Sequence, residues 1–438
     1  MPANKPKDVK WAAADEVANP ERPPLQAAAE ISFSARAGCP GFVKVPTGKR
    51  IEYMTSEGVL PADQKSVLGK NVTARTANRY SPISGICTVA RGIAEMSFPY
   101  TAGLALLALA SMSPALAAEA DALAISRNIQ ERHFPHFSLL DPIFDGPASD
   151  QIVNYTRCGD SAIWTGHYLA AEAFRYAVTR SPEALANATR AFAGIQSLVD
   201  VTGNNVLARC LVPDDSPYAE GIQNEEAHNG IYHSGPGNFW VGNTSRDQYS
   251  GVMFGLGVAY DLIDDEALKA GITGLVTRMV QFLKDHGWTV VLPDGTITTT
   301  FINRPDQQLA FLQLARHVNS DQFSTSYDIS RVLLSPGVIA PILLEVLSDD
   351  SYFKFNLDTI NLYTLIHLES SSFGEIYRKA YDILRNHTDD HGNAVFNMID
   401  RAVNGPNLAR DAETRLLLDQ WLQRPRRDIF VDNHGKYP

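Results

Sequence analysis

Cysteine is scarce: the 438 residues hold four, Cys39, Cys87, Cys158 and Cys210, with no CxxC pair and no Cys/His cluster at zinc spacing. That rules out a small disulfide-framed scaffold and argues against a structural zinc site. Other chemistry-bearing motifs are missing as well. There is no P-loop, no GxGxxG following a strand, no GxSxG elbow and no HExxH, so neither a cofactor nor a catalytic metal is expected. Positive charge is in deficit, 38 Lys and Arg against 49 Asp and Glu, for a net charge of -11. Nucleic acids and anionic lipid surfaces attract basic proteins, so an acidic chain of this kind is not expected to bind nucleic acid. What remains is an ordinary globular composition, 45% hydrophobic and 20% charged, with enough apolar material for a large core.

The longest stretch without charge, Phe98 to Ala118, sits in mid-chain and reads FPYTAGLALLALASMSPALAA. Its apolar centre, the breaker Pro114 and the small residues before Glu119 follow the order of a secretory signal, with cleavage after Ala117 or Ala118. Met96 directly precedes it, which suggests translation starting near Met96 and an over-extended reading frame upstream. The MSFPYTAG start lacks the usual positive n-region, although Arg91 lies just before it. Residues 1–95 are rich in Pro, Ala, Lys and Arg without sustained periodicity, and are expected to be disordered or untranslated. Alternatively, the uncharged run is an uncleaved membrane anchor, being just long enough to span a bilayer. Both readings place residues 119–438 as one secreted or periplasmic domain. There Cys158 and Cys210 form either one disulfide or two buried thiols.

From residue 119 the pattern is helical. Apolar spacing and start and stop signals predict helices at 160–178, 182–201, 247–263, 265–286, 305–318, 336–347, 357–369, 373–385, 393–402 and 411–422. Gly287–Gly295 reads as a strand ending in a turn. Apolar helices alternate with amphipathic ones. The apolar helices open on an Asp: Asp160, Asp247, Asp306 and Asp358, three of them with an Arg just upstream, Arg157, Arg246 and Arg304. A carboxylate at a helix start ordinarily caps free N–H groups. The repetition with Arg adds a second reading, in which parallel helices of a hairpin ring bring their polar starts to one mouth. The glycines of Gly251-Val-Met-Phe-Gly255-Leu-Gly257 fall inside a helix, where small residues allow close packing.

Two segments carry an inventory suited to sugars. Asn224–Tyr249 reads as a long polar loop with Glu225, Glu226, His228, Tyr232, His233, Trp240, Asn243, Arg246, Asp247 and Tyr249; loops of this length are functional or disordered. Asp160, Trp164, His167 and Tyr168 share a helix face beside Arg157, as the wall of a cleft or as a buried packing face. Asn303 and Arg304 add a third contribution; His391, Asn393 and Asn397 add a fourth, unless they serve turns and caps. Hydrolysis of a glycosidic bond needs two carboxylates, for which Asp160 and Asp247 are the candidates and Glu225 and Glu226 the reserves. A polysaccharide lyase needs instead a Tyr or His base with an Arg, Asn or His partner for a uronate, which His228, Tyr232, His233 and Arg246 offer. Arg157, Trp164, His167, His233, Trp240, Asn243, Arg246, Tyr249 and Arg304 are the expected substrate-binding residues.

Two lesser signals remain. Asn154-Tyr-Thr and Asn187-Ala-Thr match the glycosylation sequon. The basic run Arg424–Arg427 reads as a solvated or salt-bridged surface.

This alternation of apolar and amphipathic helices with Arg/Asp/Trp/Tyr-rich starts, over residues 150–425, resembles the six-hairpin (α/α) toroid glycosidases and related polysaccharide lyases. The resemblance implies an all-α (α/α) toroid of five to six hairpins and an exported enzyme whose partner is a carbohydrate substrate. A non-catalytic glycan-binding or scaffold protein on the same ring is the alternative.

Overall fold

The computed structural model describes residues 42–44, 50–52, 118–146, 149–348 and 352–422. The disordered extension expected over residues 1–95 and the signal or anchor expected over 96–118 lie almost wholly outside these, as does the basic run Arg424–Arg427. The chain divides into two units, Met1–Met112 and Ser113–Pro438. In the first, β1 (Phe42–Lys44) pairs antiparallel with β2 (Arg50–Glu52), Val43 opposite Ile51.

The second unit is mostly helical. It opens with α1 (Glu119–Arg132) and the antiparallel pair β3 (Asp141–Phe144) and β4 (Ile152–Thr156). Then come α2 (Ser161–Thr179) and α3 (Pro182–Asp200), the latter capped by Ser181 with Pro182 in its first turn, as the sequence signalled. Next are β5 (Cys210–Pro213), α4 (Ala219–Glu226), β6 (Ile231–Tyr232) and β7 (Asn238–Val241), whose strands form one antiparallel sheet in the order β5-β7-β6. Two helices follow, α5 (Arg246–Leu262) and α6 (Glu266–Asp285), and a hairpin of β8 (Thr289–Val291) and β9 (Ile297–Thr300). The rest is helical: α7 (Pro305–Val318), α8 (Ser320–Leu334), α9 (Ile339–Ser348), α10 (Tyr352–Leu368), α11 (Gly374–His387), α12 (Ala394–Asn404) and α13 (Leu408–Leu422).

Burial separates two kinds of helix. Helices α5, α7 and α10 carry unbroken buried stretches, Gln248–Leu256 in α5 and Asp306–Ala315 in α7, so these stretches are interior on every side, and α2 is mostly buried over Ser161–Ala170 with Trp164 exposed. Helices α3, α6 and α11 bury one face only. The interior four run parallel. Ile163 and Gly166 of α2 meet Gly251 and Gly255 of α5 in the same order; Ser250 and Phe254 of α5 meet Asn361 and Tyr363 of α10. Gly257 and Asp261 of α5 likewise meet Leu314 and His317 of α7. Between α2 and α5 the approach is backbone to backbone: a Cβ on Gly166 would stand 2.2 Å from the Gly251 carbonyl oxygen. The glycines of α5 therefore serve close packing.

Because the interior helices are parallel, their N-termini gather at one end. Each strand pair or sheet ends just before such a start: β4 before α2, β7 before α5 and β9 before α7. Two sequence expectations are corrected. Residues 320–334 form α8, because Phe323 and Tyr327 supply a helical buried face that a Ser- and Asp-rich segment disguises. Asn224–Tyr249 is not one loop but the end of α4, strands β6 and β7, and the start of α5. Ile329, Val332 and Leu333 of α8 and Leu344 and Leu347 of α9 are exposed. Ser320–Ser348 is long and apolar enough to cross a membrane by length and composition, but a 3-10 turn at Ser335–Gly337 divides it.

Candidate functional site

The end where the interior helices begin holds two polar clusters. The first is built around Asp160. Arg157 enters a left-handed turn (φ 61°), Cys158–Asp160 form one 3-10 turn, and α2 starts at Ser161. The turn is held from several directions. A Cys158–Cys210 disulfide ties it to β5. Glu226, buried at the end of α4, accepts hydrogen bonds from Gly159 N at 2.8 Å and Asn229 Nδ2 at 2.7 Å. Arg209 donates to Gly159 O at 2.6 Å, to Asn243 O at 2.7 Å and to Ser245 Oγ at 2.9 Å. Ser245 in turn donates to Asp247 Oδ1. Gln248 braces α2 against α5, accepting from Ile163 N at 2.9 Å and donating to Asp160 Oδ1 at 3.5 Å.

Asp160 makes no capping hydrogen bond to its own helix, contrary to the usual use of such a residue. Its carboxyl is instead raised above its ordinary value, first by burial and then by the Asp247 carboxylate, with Arg209 and Arg157 opposing and Glu226 adding to the rise. Two carboxylates at the starts of different interior helices are thus close enough for the charge of one to raise the other above its ordinary value. Trp164, 40% exposed, lies one turn along α2, edge-on to His167 and to Phe353 of α10. The His167 ring bonds to Ile163 O at 3.1 Å and lies 3.4 Å from Asn356 Nδ2; burial lowers its pKa, so it is neutral near pH 7.

The second cluster centres on Arg304, which is buried. Its guanidinium donates to both Asp306 oxygens at 3.0 and 2.8 Å, to Glu345 at 3.0 Å and to Asp358. Burial disfavours the Arg304 cation, but the Asp306 and Asp358 charges outweigh burial and hold it firmly protonated. Burial raises Asp358, and Arg304 opposes that rise. Arg246, at the first position of α5, is half-buried and within electrostatic reach of this cluster, and the next residue, Asp247, is within electrostatic reach of Asp160.

Several sequence-predicted site residues lie elsewhere or are otherwise engaged. Trp240 and Tyr249 are core residues: Trp240 sits on the central strand β7, stacks on Tyr232 at 4.5 Å and spends its indole N–H on Ser234, and Tyr249 is fully buried with its hydroxyl accepting from Leu207 N. Neither offers a ring face to a ligand. Arg304 is closed off by its own ion pairs. Tyr232 donates to Asp294 at 2.9 Å and its phenol is pushed up to about 12, by burial first, which disfavours a role as a base near neutrality. His228 and His233 are exposed, the former bonded to Glu225 O at 3.1 Å and the latter 3.8 Å from Asp214. Asn243, in a left-handed conformation (φ 49°), donates to Asn229 at 2.9 Å. Asn393 caps α12 and Asn397 is buried against Arg385 at 2.6 Å, so both serve structure.

Sequence reasoning missed Arg209, Asn229, Ser245 and Gln248, the residues that hold the two carboxylates. Arg209 follows no motif; its neighbour Cys210 was the available signal, since a Cys158 bridge would bring it to the Asp160 turn. Among the described residues no group of three or more His, Cys, Asp or Glu side chains is arranged to hold a metal ion. A surface depression lined by Asn204, Arg278, Gln281, Phe282, His286 and Gln322 shares no residue with either cluster. Compared with protein families, curated proteins and solved structures, the chain matches none.

Proposed function

We propose that this is an exported carbohydrate-active enzyme on an (α/α) toroid, which cleaves glycosidic bonds of a poly- or oligosaccharide by hydrolysis with Asp160 and Asp247. The single observation that carries the reading is the Asp160 carboxyl, raised by burial and by the facing Asp247 at the joint start of two parallel interior helices. Glycoside hydrolysis asks for two carboxyl groups whose environments separate their protonation states. Asp160 is then the general acid that protonates the leaving oxygen, and Asp247 the carboxylate that acts as base or nucleophile. Arg209 and Gln248 are positioning residues, and the exposed ring of Trp164 provides a stacking face one turn from Asp160. The four parallel interior helices, each followed by or packed on an amphipathic one, support the toroid. The disulfide suits an oxidising, extracytoplasmic setting.

A lyase using Tyr232 finds less support, because that hydroxyl is engaged by Asp294 and held well above neutrality. The test is mass spectrometry of products after incubating the full chain with a panel of neutral and acidic glycans. The expected product gains one water per bond cut, and Asp160→Asn lowers kcat by about 10²–10⁴-fold, the usual worth of general acid–base catalysis. An unsaturated product would establish elimination instead, and intact glycans that nonetheless bind would make this a binding protein.

A further inference from the structure

The surface depression away from both clusters has a volume of about 320 Å³ and lies between the loop after α3, the last turns of α6 and the start of α8. That is the small end of the range for ligand pockets, about 300–1,000 Å³. Its rim is tied down by bonds that leave hydrogen-bonding capacity over. Arg278 donates to Asp200 at 2.7 Å and to the side-chain oxygen of Asn205 at 3.3 Å. Backbone Val206 N takes the side-chain oxygen of Asn204 at 3.3 Å. The amide nitrogens of both asparagines meet no acceptor among the described residues. Thr277 accepts from Asn319 at 3.0 Å, which leaves its hydroxyl hydrogen to donate. His286 bonds to Phe282 O through Nδ1 at 2.8 Å; a carbonyl only accepts, so in the neutral ring Nε2 is left as an acceptor. The His286 ring lies 4.2 Å from the buried Phe282 ring, which gives the depression an aromatic side. Arg278 is neutralised by Asp200, and Asp285 adds a carboxylate to the lining, so an anion is disfavoured there. Free amide N–H groups disfavour a cation. Donors, an acceptor and an aromatic face without net positive charge suit a neutral polyhydroxylated ligand.

We infer that this depression is a second glycan-binding site, which takes a short stretch of neutral sugar from a chain cleaved elsewhere on the protein. The assignment rests on the glycan reading above and narrows it to chains with neutral stretches. Helix α6 returns from the end of α5 to the hairpin that leads into α7, so its last turns, and the depression with them, lie toward the end where the interior helices begin. A polymer held there is kept at high effective concentration near Asp160 and Asp247 without taking part in the chemistry.

The test uses the full chain carrying Asp160→Asn to prevent turnover, with and without the pair Asn205→Gly and Thr277→Val. Glycine keeps the left-handed backbone of Asn205 (φ 65°) and valine the shape of threonine, so the pair removes donors and little else. Modification of His286 by diethyl pyrocarbonate is followed by peptide mass spectrometry, alone and with cello-, malto-, xylo- or manno-hexaose or an oligogalacturonate; exposed His367, at the end of α10, is the internal control. At least one neutral hexaose is expected to shield His286 and not His367, and the oligogalacturonate to shield neither. In the paired variant the concentration needed for shielding is expected to rise about 10-fold, the worth of one or two lost hydrogen bonds, with the melting temperature kept. Shielding of His286 by no neutral hexaose, shielding of both histidines alike, equal shielding by the oligogalacturonate, or shielding that the variant leaves unmoved each overturns the assignment. Selective shielding without cleavage by the Asp160 enzyme would retire hydrolysis and leave the second site standing. Cleavage of a glycan that never shields His286 would do the reverse.

Discussion

Glycine decides how close the two carboxylates come. Asp160 and Asp247 head helices that touch backbone to backbone through Gly166, Gly251 and Gly255, and Gln248 reaches Asp160 across that contact. Alanine is the better helix former by about 1 kcal/mol, so propensity alone would favour Gly166→Ala. The new Cβ, however, would stand 2.2 Å from the Gly251 carbonyl oxygen and 2.8 Å from Val252 N, backbone atoms that cannot rotate away. Overpacking of this kind costs about 1–3 kcal/mol or more and is relieved only by separating the helices. Gly166→Ala is therefore expected to lower stability in urea unfolding and, by spreading the two helix starts, to lower the glycan cleavage proposed above in the same variant. Gly274→Ala in α6, where nothing lies within 4 Å, is expected to gain about 0.5–1 kcal/mol and leave cleavage unchanged. Equal shifts in the two variants would sink the close-contact argument.

At the scale of elements, parallel interior helices gather their C-termini as well as their starts. Asp261 near the end of α5 meets His317 of α7 at 2.6 Å and His367 of α10 at 3.4 Å. A carboxylate at a helix C-terminus opposes the dipole, whereas protonated histidines suit it. Burial pushes the Asp261 carboxyl up, but the hydrogen bonds from the two histidines more than offset this and hold it below the carboxylate range; the bond to Asp261 raises His367. The depressed Asp261 stabilises the fold above its unfolded pKa, and that contribution is lost as pH falls through its folded value. The raised His367 stabilises below its unfolded pKa, and is lost as pH rises through its folded value. Both act together between about pH 4 and 6.5. With His367 half exposed, the pair is worth about 1 kcal/mol or less, a few degrees of melting temperature. Wild type is expected to lose those degrees as pH rises above about 6.5 by scanning calorimetry, and His367→Asn is expected to show a flatter profile; identical slopes would contradict the pairing. None of this was legible in the sequence, where Asp261, His317 and His367 are spread over three helices. The helices themselves were legible, because apolar period and capping residues are local: Pro305–Val318 ends where its signals place it. The short strands β5 to β7 were not, since their pairing is non-local and their polar turns resemble a loop.

For the whole molecule, the gathering of Arg- and Asp-headed helix starts was readable as a pattern, whereas the roles of individual side chains depended on which neighbour arrived first. Arg304 met Asp306 and Asp358 and is sealed; Arg246, with the same local sequence logic, is only half-buried beside that cluster and makes no ion pair with it. Trp240 was absorbed by a central strand, while Trp164, on a helix face, remained open. The device that fixes the long-range arrangement is the Cys158–Cys210 bridge, which spans 52 residues and encloses α2 and α3. It also places Arg209 beside Gly159 and lets Ala162 N donate to Arg209 O at 3.1 Å, so the Asp160 turn and β5 form one unit. Closing a loop of this length restricts the unfolded chain, and removing such a bridge typically costs about 2–5 kcal/mol. Reductant is thus expected to lower the melting temperature of the wild type and leave a Cys158→Ala/Cys210→Ala variant, already lower, unmoved. Cleavage is expected to fall in that variant even well below its melting temperature, because the turn that carries Asp160 has lost its tie while α2 and α5 still hold their glycine contact. A variant that melts with the wild type, or one that keeps full cleavage, would show that hydrogen bonds from Glu226 and Arg209 alone hold the Asp160 carboxyl in place.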